Sequence, residues 1–235
     1  MAKERPTLKQ KRLDVDLWVI IIISLLSLVI YMAFQSRIYG IIKDTHIHIL
    51  LRTLLSAACQ FGLAGLGISV ASICRGESFC SHGLKSKGAF LSIVLCVLCF
   101  VPYIIFGIAT KQITSYLPFQ SVWVTKEALS SKFPVNAATM LIIATAWGFF
   151  EGFNYVVISD KINQRYPPKN RWLPWGAIIS AVICVLIHGM IGITPESLLE
   201  ILTVMIIIYG MLIVKEFTGN AWGCIFIFVF LWNAF

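Results

Sequence analysis

Two residues of the sequence place an ionisable side chain in an apolar stretch, and together they could activate a water molecule. Glu151 lies in "ATAWGFFEGFNYVVI", with no further charge until Asp160, and His188 lies in "SAVICVLIHGMIG". A carboxylate can act as a general base toward water, and a neutral imidazole can orient that water, donate to an oxyanion or bind a metal ion. The pair is a candidate hydrolytic site. The alternative is a buried pair that only satisfies its own polar atoms.

The spacing of these two residues predicts a similar depth in a helical hairpin. Glu151 lies sixteen residues before Pro167, and His188 lies sixteen residues after Trp172, so the two arms have equal length at about 1.5 Å per residue. If the arms form a hairpin through the proline turn, the two side chains come together. A pair that holds one water or metal ion should be separated by about 3–6 Å.

Further polar side chains share the face of Glu151 on its own helix. Asn154 and Tyr155 follow it by three and four positions, which places them on the same side and makes them candidate substrate-binding residues. Gly148 and Gly152 carry no side chain, which predicts close approach of a neighbouring backbone or of water.

The composition indicates that the elements carrying these residues cross a membrane. Of the 235 residues, 58% are hydrophobic and only 13% are charged, and the mean hydropathy is +0.85. A soluble domain is about 25% charged. We therefore predict an all-α, polytopic transmembrane helical bundle, in which the first span is a signal anchor and is not a cleaved signal peptide.

The apolar runs predict about seven spans, within a range of six to eight. No linker divides the chain, so residues 1–235 form a single domain, with N-terminal helices in 1–134 and a core in 135–235. The expected spans are 15–34, 49–73, 88–110, 135–159, 173–193, 198–214 and 220–235.

The basic residues predict the orientation of the bundle. With the N-terminus in the cytoplasm, thirteen Lys and Arg fall on the inner side and five on the outer side, which follows the positive-inside rule. We expect a multi-pass protein of the cell membrane. The net charge of +8 is explained by cytoplasmic loops that face anionic lipid headgroups, so the lipid bilayer, and no nucleic acid, is the expected partner.

Two other ionisable residues fall inside the predicted spans. Arg52 lies near the start of the second span, where its side chain is expected to snorkel outward. Glu200 follows "TPES", in which Thr194 can cap a helix and Pro195 can take its first position. A carboxylate near a helix N-terminus is favoured by the helix dipole, so Glu200 is predicted to be structural.

The order of elements in 147–235 resembles the CAAX protease and bacteriocin-processing (CPBP) family of intramembrane metal-dependent proteases. "EGFNYVVISDKINQRYPPKNRW" matches the layout of the family's first motif, a glutamate pair in a long helix that ends in a basic stretch. "CVLIH" corresponds to the second motif, "KEFTGNAWGC" is similar to the turn before the last core helix, and "IFVFLWNAF" places an asparagine where the third motif has one.

The resemblance implies a role for each surviving motif residue. Glu151 would be the base, His188 would orient the water or a divalent metal such as zinc together with Glu151, and Asn233 would be the oxyanion donor. Asn154 or Tyr155 could replace lost polar groups. In the family, an arginine follows the glutamate pair, a phenylalanine precedes the histidine of the second motif, and a histidine precedes the asparagine of the third. The sequence departs from this pattern at four positions: Gly152 replaces the second glutamate, Val156 the arginine, Cys184 the phenylalanine and Val229 the third-motif histidine.

The function expected from this resemblance is an intramembrane endopeptidase that hydrolyses a membrane-associated peptide or protein. One alternative is a catalytically inactive membrane protein of the same fold, acting as an immunity or binding partner. Another is a small proton-coupled transporter in which Glu151 and His188 relay protons. The first three predicted spans contain no counterpart of this pair, which counts against an inverted repeat and a transporter.

Overall fold

The protein is described by a computed structural model covering residues 6–188 and 194–235, and every regular element in these ranges is helical. Ten α-helices are joined by short irregular segments. They are α1 (Leu8–Lys43), α2 (Ile49–Ala64), α3 (Leu66–Arg75), α4 (Ala89–Ala109), α5 (Thr125–Ser130), α6 (Val135–Ile143), α7 (Glu151–Arg165), α8 (Trp175–Ile187), α9 (Pro195–Thr218) and α10 (Trp222–Ile227).

Two stretches of wider π-helix interrupt the regular winding of the core. Ala144–Phe150 joins α6 to α7, so that 135–165 form one long helix, and Phe228–Trp232 continues α10. Such π-segments are rare and occur frequently at functional sites. Here the first ends immediately before Glu151 and the second immediately before Asn233.

Local sequence explains where the two longest single helices begin. At the start of α1 the Thr7 hydroxyl accepts from the Gln10 backbone N–H, and the Gln10 side chain accepts from the Thr7 N–H. This reciprocal arrangement satisfies two donors that the helix leaves free. At the start of α9 Thr194 accepts from the Ser197 N–H and Pro195 takes the first position, which confirms the predicted cap.

The helix lengths support four or five membrane spans in the described residues. The four helices long and apolar enough to cross a membrane are α1, α4, the continuous 135–165 helix and α9, with 36, 21, 31 and 24 residues. Helices α2 and α3 meet at a 59° bend and make a fifth span if they are counted as one. This is the architecture of a membrane protein.

Two of the seven predicted spans are shorter helices in the structure. Helix α8 has 13 residues, and its predicted span continues into 189–193, which lie outside the described residues. The last predicted span is the apolar helix Trp222–Trp232. Because a spanning helix needs about 20 residues, these two spans stay predictions, whereas helix length supports the others.

The core is built around α7 and α9. The largest buried cluster brings together apolar side chains of α7 with those of α8, α9 and α10, including Phe153, Val157, Ile207, Ile208 and Phe228. Helix α1 and the α2–α3 pair pack against the other side of α7. Helix α7 therefore carries its polar residues through the middle of the bundle.

An ionic cluster holds the end of the bundle at which α1 begins. It consists of Asp14, Asp16, Arg75, Glu77, His82, Asp160, Lys161, Arg165 and Lys215. Lys161 is only 1% exposed and donates to Asp16 at 3.0 Å and to Glu77 at 2.8 Å. Four cations assigned to the inner loops from the sequence are thus paired within the protein: Arg75, Lys161, Arg165 and Lys215.

The opposite end of the bundle corrects the expectation for Arg52. Its side chain does not snorkel outward but is 1% exposed. The guanidinium donates two hydrogen bonds to Glu127, at 2.8 and 2.6 Å, and a third to the backbone oxygen of Ile42 at 2.9 Å. A bidentate carboxylate partner compensates a buried guanidinium, and α5, which carries Glu127, was not anticipated from the sequence.

Candidate functional site

A cavity of about 310 Å³ opens beside the middle of the long 135–165 helix, between the two ends of the bundle. It is lined by residues of α1, α2, α7 and α8 and of the segment after the second π-helix. All five residues singled out in the sequence line it: Glu151, His188, Asn233, Asn154 and Tyr155. The structure therefore brings together side chains separated by more than 80 residues.

Glu151 and His188 face each other across a gap. His188 Nε2 lies 3.9 Å from Glu151 Oε1, within the predicted range. This separation exceeds hydrogen-bond length, and one water about 2.8 Å from each atom fits between them. The hairpin prediction is confirmed because both residues do lie at the same depth.

The backbone of α8 fixes the chemical state of the imidazole. His188 Nδ1 lies 2.9 Å from the backbone oxygen of Cys184, one turn earlier, and 3.6 Å from the Cys184 sulfur. A carbonyl can only accept, so Nδ1 carries the proton. In the neutral ring Nε2 then presents its lone pair to the gap. The edge of the ring packs against Trp232, with the ring centroids 5.6 Å apart.

Glu151 is buried, and it has a polar partner that the sequence did not reveal. The Gln60 side chain, on α2, donates from Nε2 to Glu151 Oε2 at 2.8 Å. Glu151 is 8% exposed, so this bond offsets part of the cost of taking the carboxyl group out of water. Nothing in the spacing of Gln60 relative to Glu151 could have predicted the contact.

Asn233 is oriented by the segment between α4 and α5. The Ser121 hydroxyl donates to Asn233 Oδ1 at 2.9 Å, and the Ser121 backbone N–H donates to the Asn233 backbone oxygen at 3.2 Å. The Asn233 side chain approaches the Glu151 carboxyl, and its amide nitrogen is buried without a hydrogen-bond partner among the described residues. The nearest acceptor for this nitrogen is the Glu151 carboxyl, so Asn233 is placed to donate either to that group or to a ligand oxygen that comes between them.

The two predicted substrate-binding residues differ in their surroundings. Asn154 is half-buried and presents an amide to the cavity. Tyr155 is 5% exposed and stacks on Phe228 with a centroid distance of 5.5 Å. Tyr155 thus contributes to the packing of α7 on the last helix as well as to the cavity wall.

Gly148 and Gly152 let the last helix approach closely, in agreement with the predicted approach of a neighbouring backbone. A Cβ added at Gly148 would lie 2.5 Å from Val229 Cγ2, and one added at Gly152 would lie 3.1 Å from the Cys224 backbone oxygen. The first distance is far below van der Waals contact. Gly152 and Val229, where the CPBP pattern has ionisable residues, are used here for helix packing.

The remaining ionisable candidate lies away from this cavity. Glu200 is half-buried in the second turn of α9 and is not among the residues that line the cavity. Its structural role stays a prediction, because the helix dipole acts mainly within the first turn.

The residues at the site do not fit a zinc ion. Protein zinc sites use three or four ligands from Cys, His, Asp and Glu. No group of three such residues that could hold a metal ion occurs in residues 6–188 and 194–235, and the cavity supplies only Glu151 and His188. We therefore derive no step through a metal ion.

Comparison with known proteins leaves the site to be interpreted from its geometry. No protein-family model matches the chain, and neither the curated proteins nor the solved structures contain a significant match.

Proposed function

We propose that this protein is an intramembrane endopeptidase of the CPBP type that hydrolyses a membrane-associated peptide or protein. The observation that carries the proposal is the 3.9 Å gap between Glu151 Oε1 and His188 Nε2, beside a buried amide donor and within an apolar bundle. A carboxylate, an imidazole and a free N–H donor around one water-sized space are the groups that amide hydrolysis needs.

The proposed reaction consumes one water, and Glu151 ends it in the same ionised state in which it began. The water lies between Glu151 and His188. It donates one hydrogen bond to the lone pair of His188 Nε2, which orients it, and transfers its other proton to the Glu151 carboxylate. Its oxygen attacks the carbonyl carbon of the substrate, and Asn233 Nδ2 donates to the developing oxyanion. Glu151 then passes the proton to the leaving nitrogen as the C–N bond breaks.

The walls of the cavity support access from the bilayer. Leu25 on α1 is 54% exposed and Ile187 on α8 is 72% exposed, and both line the cavity beside the Glu151–His188 pair. Apolar side chains at a mouth in a membrane protein face lipid, so a lipid-embedded segment could reach the pair without crossing an aqueous funnel. The proposed substrate is accordingly an apolar segment of a peptide or protein.

We further propose that the ionic cluster lies on the cytoplasmic side of the cell membrane and that seven helical segments are embedded. This orientation follows from the excess of Lys and Arg on the loops at that end, with the N-terminus inside. Helices α8 and α10 would enter the membrane but would not span it by themselves. Helix ends at membrane depth are tolerated where protein covers them.

A second candidate function is a non-catalytic binding or immunity protein of the same fold. It is favoured by the packing of Gly152 and Val229, because these positions hold ionisable residues in the CPBP pattern and are filled here by helix–helix contacts. The two functions predict different results for the purified protein.

The test is hydrolysis of a library of membrane-spanning peptides by the purified protein in liposomes, with products identified by mass spectrometry. Glu151→Gln should lower turnover by about 10²–10⁴-fold because it removes the base. Glu200→Gln is the matched control, since it removes the same charge from a half-buried carboxyl outside the cavity. Undiminished cleavage by Glu151→Gln would falsify the proposal, and a wild-type protein that binds peptides without cleaving them would favour the second function.

A further inference from the structure

Gln60 reaches the candidate site from a helix that the family resemblance does not cover. It lies on α2, in the N-terminal part of the chain, and its amide donates to Glu151 Oε2 at 2.8 Å. The other carboxyl oxygen, Oε1, faces His188 Nε2. The two oxygens of one carboxyl group thus have different neighbours.

We propose that Gln60 is a positioning residue for Glu151, an inference that rests on the proposed endopeptidase function. By holding Oε2, it leaves Oε1 as the oxygen that receives the proton of the attacking water. Gln60 does not touch the reacting atoms, so it acts through Glu151.

Two physical effects follow from the single hydrogen bond. It fixes the rotation of the carboxyl group, so that Oε1 keeps its orientation toward the gap. It also stabilises the ionised carboxylate, because an N–H donor to a charged oxygen is stronger than a bond between neutral groups. A general base needs both the correct direction and the correct charge.

Two other residues of α2 make contacts that fix the position of Gln60. The next residue, Phe61, packs edge-on against Phe150, the residue before Glu151, with a centroid distance of 4.7 Å. At the start of α2, Arg52 is bound by Glu127 and by the Ile42 backbone. Phe61 thus ties α2 to the 135–165 helix beside Glu151, and Arg52 ties the start of α2 to α1 and α5.

The site has no second carboxylate on α7 beside Glu151, and the Gln60 amide supplies the polar neighbour instead. Gly152 offers no polar atom and packs against Cys224 and Phe228. The polar group beside Glu151 comes from α2 and is a neutral amide donor, which adds no like charge to a buried carboxylate. This places one essential contact in the N-terminal half of the chain.

The experiment compares Gln60→Met with the wild type in two readouts. Methionine keeps the length of the side chain and removes the amide. In infrared spectra of proteoliposomes recorded over a pH series, a carboxylic-acid band absent from Glu151→Gln identifies its C=O stretch. Loss of the amide donor should move that band to higher frequency. With the best-cleaved peptide of the library, kcat should fall by about 10- to 100-fold with KM unchanged.

Ser56→Ala is the control, because it removes a hydroxyl one turn earlier on α2 from a residue that does not line the cavity. An unshifted band together with unchanged kcat in Gln60→Met would overturn the role of Gln60, even where Glu151→Gln abolishes cleavage. Conversely, if Glu151→Gln cleaves normally, the endopeptidase proposal fails, and the band still reports whether the contact exists.

A second variant covers the case in which Gln60→Met does not fold. In Gln60→Glu the side chain keeps its size, and two carboxyl groups face each other and share a proton. An additional carboxyl band coupled to that of Glu151 supports the contact, and a new band independent of Glu151 refutes it.

Discussion

The long 135–165 helix carries buried ionisable groups in two regions that are built on opposite principles. Near its C-terminal end, Asp160 and Lys161 belong to the ionic cluster. There Lys161 has two carboxylate partners, and Asp160 contacts both His82 and Lys215. In its middle, Glu151 receives one hydrogen bond from Gln60 and faces His188 across 3.9 Å.

The difference separates a region built for stability from one suited to chemistry. The ionic cluster matches each buried charge with an opposite charge, so little remains for an external ligand, and removal of one member leaves another uncompensated. The cavity leaves a water-sized gap and a free amide donor. Unsatisfied polar groups of this kind lower stability and are retained where function needs them.

The largest effect on stability is expected for Lys161→Met, in the ionic cluster. It removes the buried cation that Asp16 and Glu77 share. Since Asp16 keeps Arg75 and Glu77 is 38% exposed, we expect the free energy of unfolding to fall by about 3 kcal/mol, at the lower end of the range for a broken buried pair. The measurement is denaturant-induced unfolding in mixed micelles. Lys169→Met, at an exposed loop position, is the control and should change little. Equal stability of the two variants would contradict a stabilising role of the ionic cluster.

The second prediction uses pH to weaken the ionic cluster. Burial, together with the nearby charges of Lys161 and Lys215, lowers the pKa of His82 from 6.5 to about 4. The unfolded chain therefore binds a proton that the folded protein excludes. Stability should be complete above pH 6.5 and should decline by about 3 kcal/mol as the pH falls toward 4.

His82→Gln tests this pH dependence directly. Asp160 and Glu77 also face His82 and contribute their own titration, so the comparison is between unfolding free energies of the variant and the wild type across pH 4 to 7. The variant should lose most of the slope in this window. A slope that persists unchanged would assign it to the carboxylates.

The smallest effect on stability is expected at the candidate site. Glu151→Gln keeps the size of a buried side chain that has no charged Lys or Arg partner among the described residues and is bonded by the Gln60 amide, so the free energy of unfolding should stay the same or rise by about 1 kcal/mol. The same unfolding assay measures it, with Glu200→Gln as the comparison. A loss comparable to that of Lys161→Met would mean that Glu151 is a structural residue after all.

Sequence reasoning was most successful where one helix or one hairpin decides the outcome. The equal arms around the proline turn predicted that Glu151 and His188 would meet, and the TPES segment predicted the start of α9. Gly148 and Gly152 predicted the close approach of another helix. Each of these inferences uses the fixed rise or the fixed faces of a helix.

The same reasoning failed for contacts between distant helices. Neither the Gln60–Glu151 bond nor the pairing of Lys161 with Asp16 has any regular spacing in the sequence. Arg52 was expected at the membrane surface because its partner, Glu127, lies in a loop region with no visible relation to α2. Of the seven predicted spans, four or five are supported by helix length in the described residues, because hydropathy alone does not separate a full span from a shorter apolar helix such as Trp222–Trp232.

The sequence by itself determined the class of the protein and the two ionisable residues that face each other at the cavity. Long apolar runs require helices whose backbone bonds are satisfied internally, and an isolated Glu and His within such runs require compensation. The packing of six or more helices decided the rest, namely which oxygen of Glu151 faces His188, which amide holds the other, and that Asn233 keeps a free donor. These are distances between segments far apart in the chain, and only tertiary packing sets them.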